Sequence, residues 1–300
     1  MSDGSSTFDA APTFKAPSRP LRFLRSLGRL RESPVGVAGV AILLFWVFAA
    51  VFAPLIAPFP PNQPLRPMAP PGTAAANGVF WLGTDHLGRD VLSRLIVGSR
   101  LSLGVGATAM AIALVLGTAI GLTAGILGGI VDTLLMRLTD LLLSLPTLLI
   151  AIALAAVLEP SSGNLLLVIA VVSWTTVARV VRGEARQLLG QDYVLASTAL
   201  GARQSHLVLR HLLPGVASTV VTLGVLGASG TLLLEAGLSY LGLGVPPPAP
   251  SFGRMVAEGA TWFRVAPWLI VFPGCAILVT VLSCNLLAQA LLLRRDANQR

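Results

Sequence analysis

The sequence carries little charge for its size. Of its 300 residues, 54% are hydrophobic and 11% are charged, whereas soluble domains carry about 25% charged residues. Most of the folded surface is therefore not expected to face water. Lys15 is the only lysine, so the formal net charge of +8 comes almost entirely from arginine. Because the arginines flank apolar runs and form no stripe with interleaved aromatic residues, they argue against nucleic acid and favour a lipid bilayer with anionic headgroups.

Residues for metal, redox or nucleotide chemistry are also scarce. Cys275 and Cys284 are nine positions apart in one apolar run, so on a helix they would point to opposite faces and cannot bridge each other. The three histidines are scattered without metal-ligand spacing. A P-loop needs a lysine after its glycines, and Lys15 follows no such loop. The sequence therefore predicts no catalytic residue, metal or cofactor site in this chain.

Long apolar runs define the architecture. A membrane span needs about 20 mostly apolar residues. The runs predict an all-α integral membrane protein with six transmembrane helices, at 35–57, 101–128, 136–158, 164–182, 216–236 and 267–291. Pro146 is expected to kink the third span. The first run begins past residue 33 and is too long for the apolar region of a signal peptide, so it is expected to remain uncleaved.

Arginine is distributed unevenly between the two sides that six spans define. Fifteen of the 21 Lys and Arg residues fall in the two termini and the second and fourth connections, and six fall on the opposite side. The positive-inside rule then places both termini in the cytoplasm. The predicted organisation is a basic cytoplasmic tail, a first span with an extracytoplasmic loop, a core containing a cytoplasmic loop, and a second cytoplasmic tail. These segments are 1–33, 34–100, 101–293 with the loop at 183–214, and 294–300.

Small residues recur on one face of the second span. Gly117, Gly121 and Gly125 are four apart, and Ala113 lies one step earlier. Such a row lets another helix approach closely. The pattern predicts tight helix packing and leaves open whether the neighbour belongs to the same chain.

The fifth span is the most polar. Ser218, Thr222, Ser229 and Glu235 are candidates for lining a pathway or a gate. The alternative is packing, because hydroxyl groups can satisfy carbonyls of their own helix and a carboxylate at the end of a span is usually solvated.

A polar, basic stretch, QDYVLASTALGARQSHLVLRHLLP, separates the fourth and fifth spans. Tyr193, Ala196 and Leu200 fall on one helical face, and Gly201 stands where a left-handed C-cap residue would end that helix. A second helix-like segment follows and ends in Leu-Pro. We call residues 191–214 the cytoplasmic bracket. It could lie on the headgroups or dock a soluble partner.

The spacing within the bracket resembles the cytoplasmic signature of ABC importer permeases, which is Glu-Ala-Ala, three residues, Gly, nine residues, Ile, one residue and Leu-Pro. The matching identities are Ala196, Gly201, Leu213 and Pro214. Leu195, Ser197 and His211 replace the Glu, the second Ala and the Ile. Histidine at that position resembles the peptide-importer branch.

Four further segments resemble the C-type permease subunit of dipeptide and oligopeptide importers, the DppC/OppC group. They are Glu32–Leu44, Trp81–Gly106, Leu134–Ile152 and Leu238–Gly259. The resemblance covers nearly the whole chain. It implies a bacterial inner-membrane permease with the type I importer fold, which moves substrate by alternating access.

The resemblance also implies partners. A homologous B-type permease would complete the translocation path, two ABC ATPase subunits would hold ATP and Mg²⁺, and an extracytoplasmic binding protein would deliver substrate. The substrate is left open among dipeptides, oligopeptides, nickel and haem. The residues expected to couple the chain to the ATPases are Tyr193, Ala196, Ser197, Leu200, Gly201, His211 and Pro214.

Charged residues precede the second span on the extracytoplasmic side. Asp85, Arg89 and Asp90 could contact the binding protein, or they could cap and pin the segment that leads into the span. A secondary transporter is the rival to this interpretation, but it should show buried ionisable residues and internal repeats, and neither is evident in the sequence.

Overall fold

A computed structural model describes residues 34–299, with side chains up to residue 292; the predicted basic tail at 1–33 lies outside the described residues. Helices dominate this part of the chain. They are α1 (Pro34–Val51), α2 (Ala53–Ile56), α3 (Val91–Leu127), α4 (Gly129–Ser144), α5 (Thr147–Val157), α6 (Ser162–Leu189), α7 (Asp192–Ala199), α8 (Gln204–Leu207), α9 (Leu213–Tyr240), α10 (Phe252–Ala260) and α11 (Trp268–Gln299).

Two smaller elements complete the fold. A π-helical turn, Val208–Leu212, joins α8 to α9. In the loop after α2, β1 (Thr73–Ala75) pairs antiparallel with β2 (Gly78–Phe80), which places Thr73 opposite Phe80. This hairpin adds a local strand pair to a fold that was predicted to be all-α.

Five helical segments are long and apolar enough to cross a membrane: α1, α3, α6, the continuous helix formed by α8, the π turn and α9, and α11 up to Leu292. The third predicted span consists instead of two helices, α4 and α5, which are bent by 92°. Leu145 is extended, with φ −99° and ψ 146°, because a residue before proline is disfavoured in the helical region. The kink predicted at Pro146 is therefore a complete break.

Together, α4 and α5 extend along the whole length of α6. Asp132, at the start of α4, forms an ion pair with Arg182 near the end of α6. Ala151 of α5 packs instead with Leu165 near the start of α6. Since α4–α5 runs antiparallel to α6, we count it as one crossing, which gives six crossings in the described chain.

The glycine row of the second predicted span packs against α6 of the same chain. A Cβ atom at Gly117 would lie 2.7 Å from the carbonyl oxygen of Trp174, and one at Gly121 would lie 2.6 Å from that of Ala178. At Gly125 it would lie 2.9 Å from the Cβ of Ala185. The two backbones approach this closely only because these positions have no side chain.

Gly121→Val is expected to destabilise the chain by about 1–3 kcal/mol, the usual cost of overpacking a well-packed core. The clashing atom is a backbone oxygen, which cannot move away by changing rotamer. Thermal unfolding of the purified protein in detergent measures the effect. Gly104→Val on the same helix is the control, because a Cβ there meets nothing within 4 Å. Equal midpoints for the two variants would contradict this packing.

The orientation in the membrane remains a prediction, with both termini in the cytoplasm. It can be tested with single cysteines and a membrane-impermeant thiol reagent in a background lacking Cys275 and Cys284. In intact cells we expect labelling at positions 78 and 249 and none at positions 5, 205 and 298. Labelling at position 205 would contradict the orientation.

Candidate functional site

The turn of the cytoplasmic bracket is built around Gly201. Helix α7 ends at Ala199, Leu200 is its C-cap residue, and Gly201 follows with φ +81°. The amide of Ala202 donates to the carbonyl of Ser197 at 3.1 Å, and the amide of Gly201 donates to that of Thr198 at 2.9 Å. These two bonds form a Schellman motif, in which a left-handed residue ends the helix. The predicted C-cap glycine is confirmed.

The bracket presents an apolar side chain at its tip. Leu200 is 89% exposed, and Ala196 on the same side of α7 is also exposed. Val194 faces inward and is 1% exposed, so it anchors the short helix. A hollow beside the tip is lined by Ser197, Leu200, Gly201, Ala202, Arg203, Ser205 and His206. The tip of the bracket therefore combines an exposed leucine with a neighbouring polar hollow.

Aromatic rings join the two arms of the bracket. The ring centroids of Tyr193 and His211 are 5.6 Å apart, and those of His206 and His211 are 5.7 Å apart. Tyr193 belongs to the arm before Gly201 and the histidines to the arm after it. These contacts hold the arms together, while Arg203 and Arg210 remain exposed and give the surface positive charge.

The second arm continues into the membrane without a break. Pro214 lies inside the first turn of α9, not ahead of the span as the sequence suggested. Proline has no amide hydrogen to donate. The π turn lies directly before this position, and in it the amide of Leu213 donates to the carbonyl of Val208. The helix from Gln204 to Tyr240 has 37 residues, a length of about 55 Å.

The base of the bracket is fixed to α6. A Cβ atom at Gly215 would lie 2.5 Å from a methyl carbon of Leu188. Leu212 and Val216 are fully buried in a cluster that includes Val181 of α6. The bracket is thus a projecting element on a rigid base.

The predicted pathway candidates have different environments. Ser218 is exposed, whereas Thr222, Ser229 and Glu235 are buried within the chain. The hydroxyls of Thr222 and Ser229 donate to carbonyls of their own helix at 2.9 and 2.6 Å. For these two residues the geometry favours packing over pathway lining. Glu235 is a buried ionisable group, which the sequence analysis had expected only of a secondary transporter.

On the opposite side of the bundle, Asp90 caps α3. Its Oδ2 accepts hydrogen bonds from the amide of Ser93 at 2.8 Å and from the Ser93 hydroxyl at 2.7 Å. Burial raises the pKa of Asp90, although the bonds from Ser93 oppose this. The same hydroxyl accepts from the amide of Phe59 at 2.9 Å, so the cap also ties the preceding loop to the helix.

Asp85 and Arg89 belong to a buried ion-pair network. Arg89 Nε lies 2.6 Å from Asp85 Oδ2, and Arg89 Nη2 lies 2.9 Å from Glu258 Oε2. Arg94, with a side chain only 1% exposed, lies 3.0 Å from the same Glu258 oxygen. Arg254 approaches the other oxygen at 2.8 Å. The network joins the start of α3 to α10.

The charges in this network determine how Glu258 ionises. Burial alone would raise the pKa of Glu258, but Arg94, Arg254 and Arg89 hold it below its usual value. A carboxylate whose pKa is lower in the folded than in the unfolded state stabilises the fold at pH values above its unfolded-state pKa. This stabilisation is lost as the pH falls through the folded-state pKa.

Asp85, Arg89 and Asp90 are buried and make contacts within the chain. This favours the interpretation that they cap and pin the segment leading into α3 over direct contact with a binding protein.

The pairing of Arg94 with Glu258 was not predicted from the sequence, because the partners are 164 positions apart. An ionic cluster at the other end of the bundle was not predicted either. There Arg182 Nη2 lies 2.6 Å from Asp132, Arg186 pairs with the same carboxylate, and Arg179 pairs with Asp140. The three arginines are three and four positions apart on α6, a spacing that could have indicated a complementary acidic helix.

No group of three or more His, Cys, Asp or Glu side chains in the described part of the chain could hold a metal ion. The structure therefore offers two candidate sites: the bracket, which projects from one end of the bundle, and the network that pins α3 to α10 at the other end.

Comparison with known proteins agrees with this architecture. Residues 117–296 match the family described as the inner membrane component of binding-protein-dependent transport systems. Residues 22–71 match the N-terminal transmembrane domain of oligopeptide transport permease C.

Individual relatives align over most of their length. The di/tripeptide transport system permease DppC of Pseudomonas aeruginosa is 38% identical over 95% of this chain and 93% of its own. The dipeptide permease DppC of Alkalihalophilus pseudofirmus is 34% identical over 90% of this chain and 86% of its own. The oligopeptide permease OppC of Bacillus subtilis gives the same three values.

The bundle of membrane-spanning helices, the projecting bracket and these matches together place the chain among transport permeases. The chain belongs to the family of inner-membrane components of binding-protein-dependent transport systems, in the branch of dipeptide and oligopeptide permease C subunits. This confirms the predicted family, the type I importer permease fold and the multi-pass location in the bacterial inner membrane.

Proposed function

We propose that this chain forms half of the path by which dipeptides and oligopeptides enter the cell, in an importer driven by separate ATPase subunits. A homologous B-type permease forms the other half, and an extracytoplasmic binding protein delivers the peptide. The observation that carries the proposal is the Gly201 turn, which presents an exposed leucine at the end of a continuous helix that crosses the membrane.

The form of the bracket supports docking of an ATPase subunit. A short helix with an apolar tip is suited to a hydrophobic groove on a soluble partner. Leu200 would enter that groove, and Arg203 and Arg210 would meet acidic groups at its edge. Because α9 continues from the bracket, a displacement of the bracket would move a membrane-spanning helix.

We place ATP binding on the partner subunits. The only lysine in the chain lies outside any P-loop, so ATP and Mg²⁺ would be bound by the two ATPase subunits. The relatives compared above are named as permease proteins of peptide systems, which supports a peptide substrate over nickel or haem.

Reconstitution of the complete complex tests the proposal. The proteoliposomes contain both permeases and both ATPases, and binding protein loaded with labelled dipeptide is added on the outside. For complexes whose ATPases face the lumen, dipeptide should accumulate inside only when the lumen contains ATP. A complex whose ATPases lack the P-loop lysine is the control. Uptake driven by an ion gradient without ATP would contradict the proposal and support a secondary transporter, in which the buried Glu235 would be an ion-binding group.

A further inference from the structure

Glu235 lies inside the chain near the end of α9 that is remote from the bracket, with no exposed surface. One carboxylate oxygen, Oε1, accepts a hydrogen bond from the hydroxyl of Ser239 at 2.8 Å. The other oxygen, Oε2, is buried and has no hydrogen-bond partner among the described residues. Burying a carboxylate is costly unless its surroundings compensate for the lost water, so this position requires a specific role.

Two further hydroxyls face the same carboxylate, those of Ser102 and Ser251. Ser102 already accepts from the amide of Phe252 at 3.0 Å, and Ser251 accepts from the amide of Arg254 at 3.3 Å. Each hydroxyl therefore keeps its own hydrogen available to donate. Ser102 belongs to α3, Ser239 to α9, and Ser251 is the N-cap of α10. The carboxylate thus stands where three helices meet.

The packing around this junction is tight. Gly253, in the first turn of α10, lies against the backbone of Ala236, and a Cβ atom there would overlap it. Phe252 is fully buried between the helices. Because backbone meets backbone beside Glu235, α10 cannot shift without moving α9.

Helix α9 connects this junction to the cytoplasmic bracket without interruption. We propose that Glu235 is a positioning residue for transport, which fastens the extracytoplasmic helix α10 to α9 so that contact with the binding protein outside is transmitted to the bracket. The inference rests on the proposed function and adds the route by which arrival of substrate reaches the ATPases. It assigns Glu235 to the junction between helices, not to the wall of the path.

The test compares ATP turnover by the reconstituted complex with and without its ligand-loaded binding protein. We expect the ratio of stimulated to basal turnover to fall about tenfold for Glu235→Ala, because the buried carboxylate that accepts from Ser239 is lost. Glu235→Gln keeps the volume and one acceptor oxygen, so a smaller fall of about threefold is expected. Leu233→Ala is the control, since that side chain is 51% exposed on the same helix and should leave the ratio unchanged.

Several outcomes would overturn the inference. One is a parent-like ratio in either Glu235 variant. Another is an equal fall in the Leu233→Ala control, which would show a general weakening of α9. A third is a lower unfolding temperature for Glu235→Gln with the ratio unchanged, which would make the residue structural only. Failure of the parent complex to take up peptide would count against the proposed function and leave the comparison of ratios intact.

Discussion

Arg94→Met is expected to destabilise the chain by about 3–5 kcal/mol, the cost of removing one partner from a buried ion pair. The guanidinium lies 3.0 Å from Glu258 and 3.6 Å from Asp85, and its side chain is 1% exposed. Methionine fills much of the same volume but removes one positive charge, so Arg89 and Arg254 alone compensate the two carboxylates. Thermal unfolding of the purified chain in detergent should show a lower midpoint.

Two further variants separate the buried pair from general effects of removing charge. Arg100→Met removes an arginine from the exposed side of the same helix and should change the midpoint little. Adding Glu258→Gln to Arg94→Met should cost less than the sum of the two single changes, because the carboxylate charge that Arg94 compensates is then absent. An Arg94→Met protein with the midpoint of the parent would show that the network does not hold α3 to α10.

The apolar runs predicted where the chain crosses the membrane, but they did not predict the residues at which the helices begin and end. The second span was predicted from residue 101, whereas α3 begins at Val91. The charge-free run begins only after Arg100, and Arg94 lies within the helix before it. The structure accommodates Arg94 through Glu258, a residue far along the chain that no local pattern reveals. The same limit applied to the glycine row, whose spacing predicted close packing but not α6 as the neighbour.

The cytoplasmic turn was predictable because its causes are local. A left-handed residue at the end of a short helix and the bonds that close it all lie between Ser197 and Ala202. Burial of Glu235, in contrast, depends on α3 and α10 arriving from distant parts of the sequence, and a carboxylate near the end of a span gave no sign of it. Local chemistry thus identified the bracket, while the junction at Glu235 needed the tertiary structure.

Gly201→Val should mainly weaken docking of an ATPase subunit and should change the fold of this chain little. Its φ of +81° makes a β-branched residue unfavourable by about 1–2 kcal/mol, but a Cβ atom there meets nothing within 4 Å. The chain should therefore still insert and fold. The valine side chain would stand beside Leu200, where we propose that an ATPase subunit docks, and weakened docking would separate hydrolysis from movement of α9.

The amount of dipeptide taken up per ATP hydrolysed, measured in proteoliposomes for the parent and for Gly201→Val, tests the coupling role most directly. Gly190→Val is the matched control, because Gly190 has a φ of −82° and imposes no left-handed strain. We expect Gly201→Val either to lose its ATPase subunits on purification or to show a ratio lower by about tenfold, as expected if docking is weakened by about 1.4 kcal/mol, while Gly190→Val matches the parent. A Gly201→Val complex with the subunit content, ATP turnover and uptake of the parent would contradict a coupling role for the bracket.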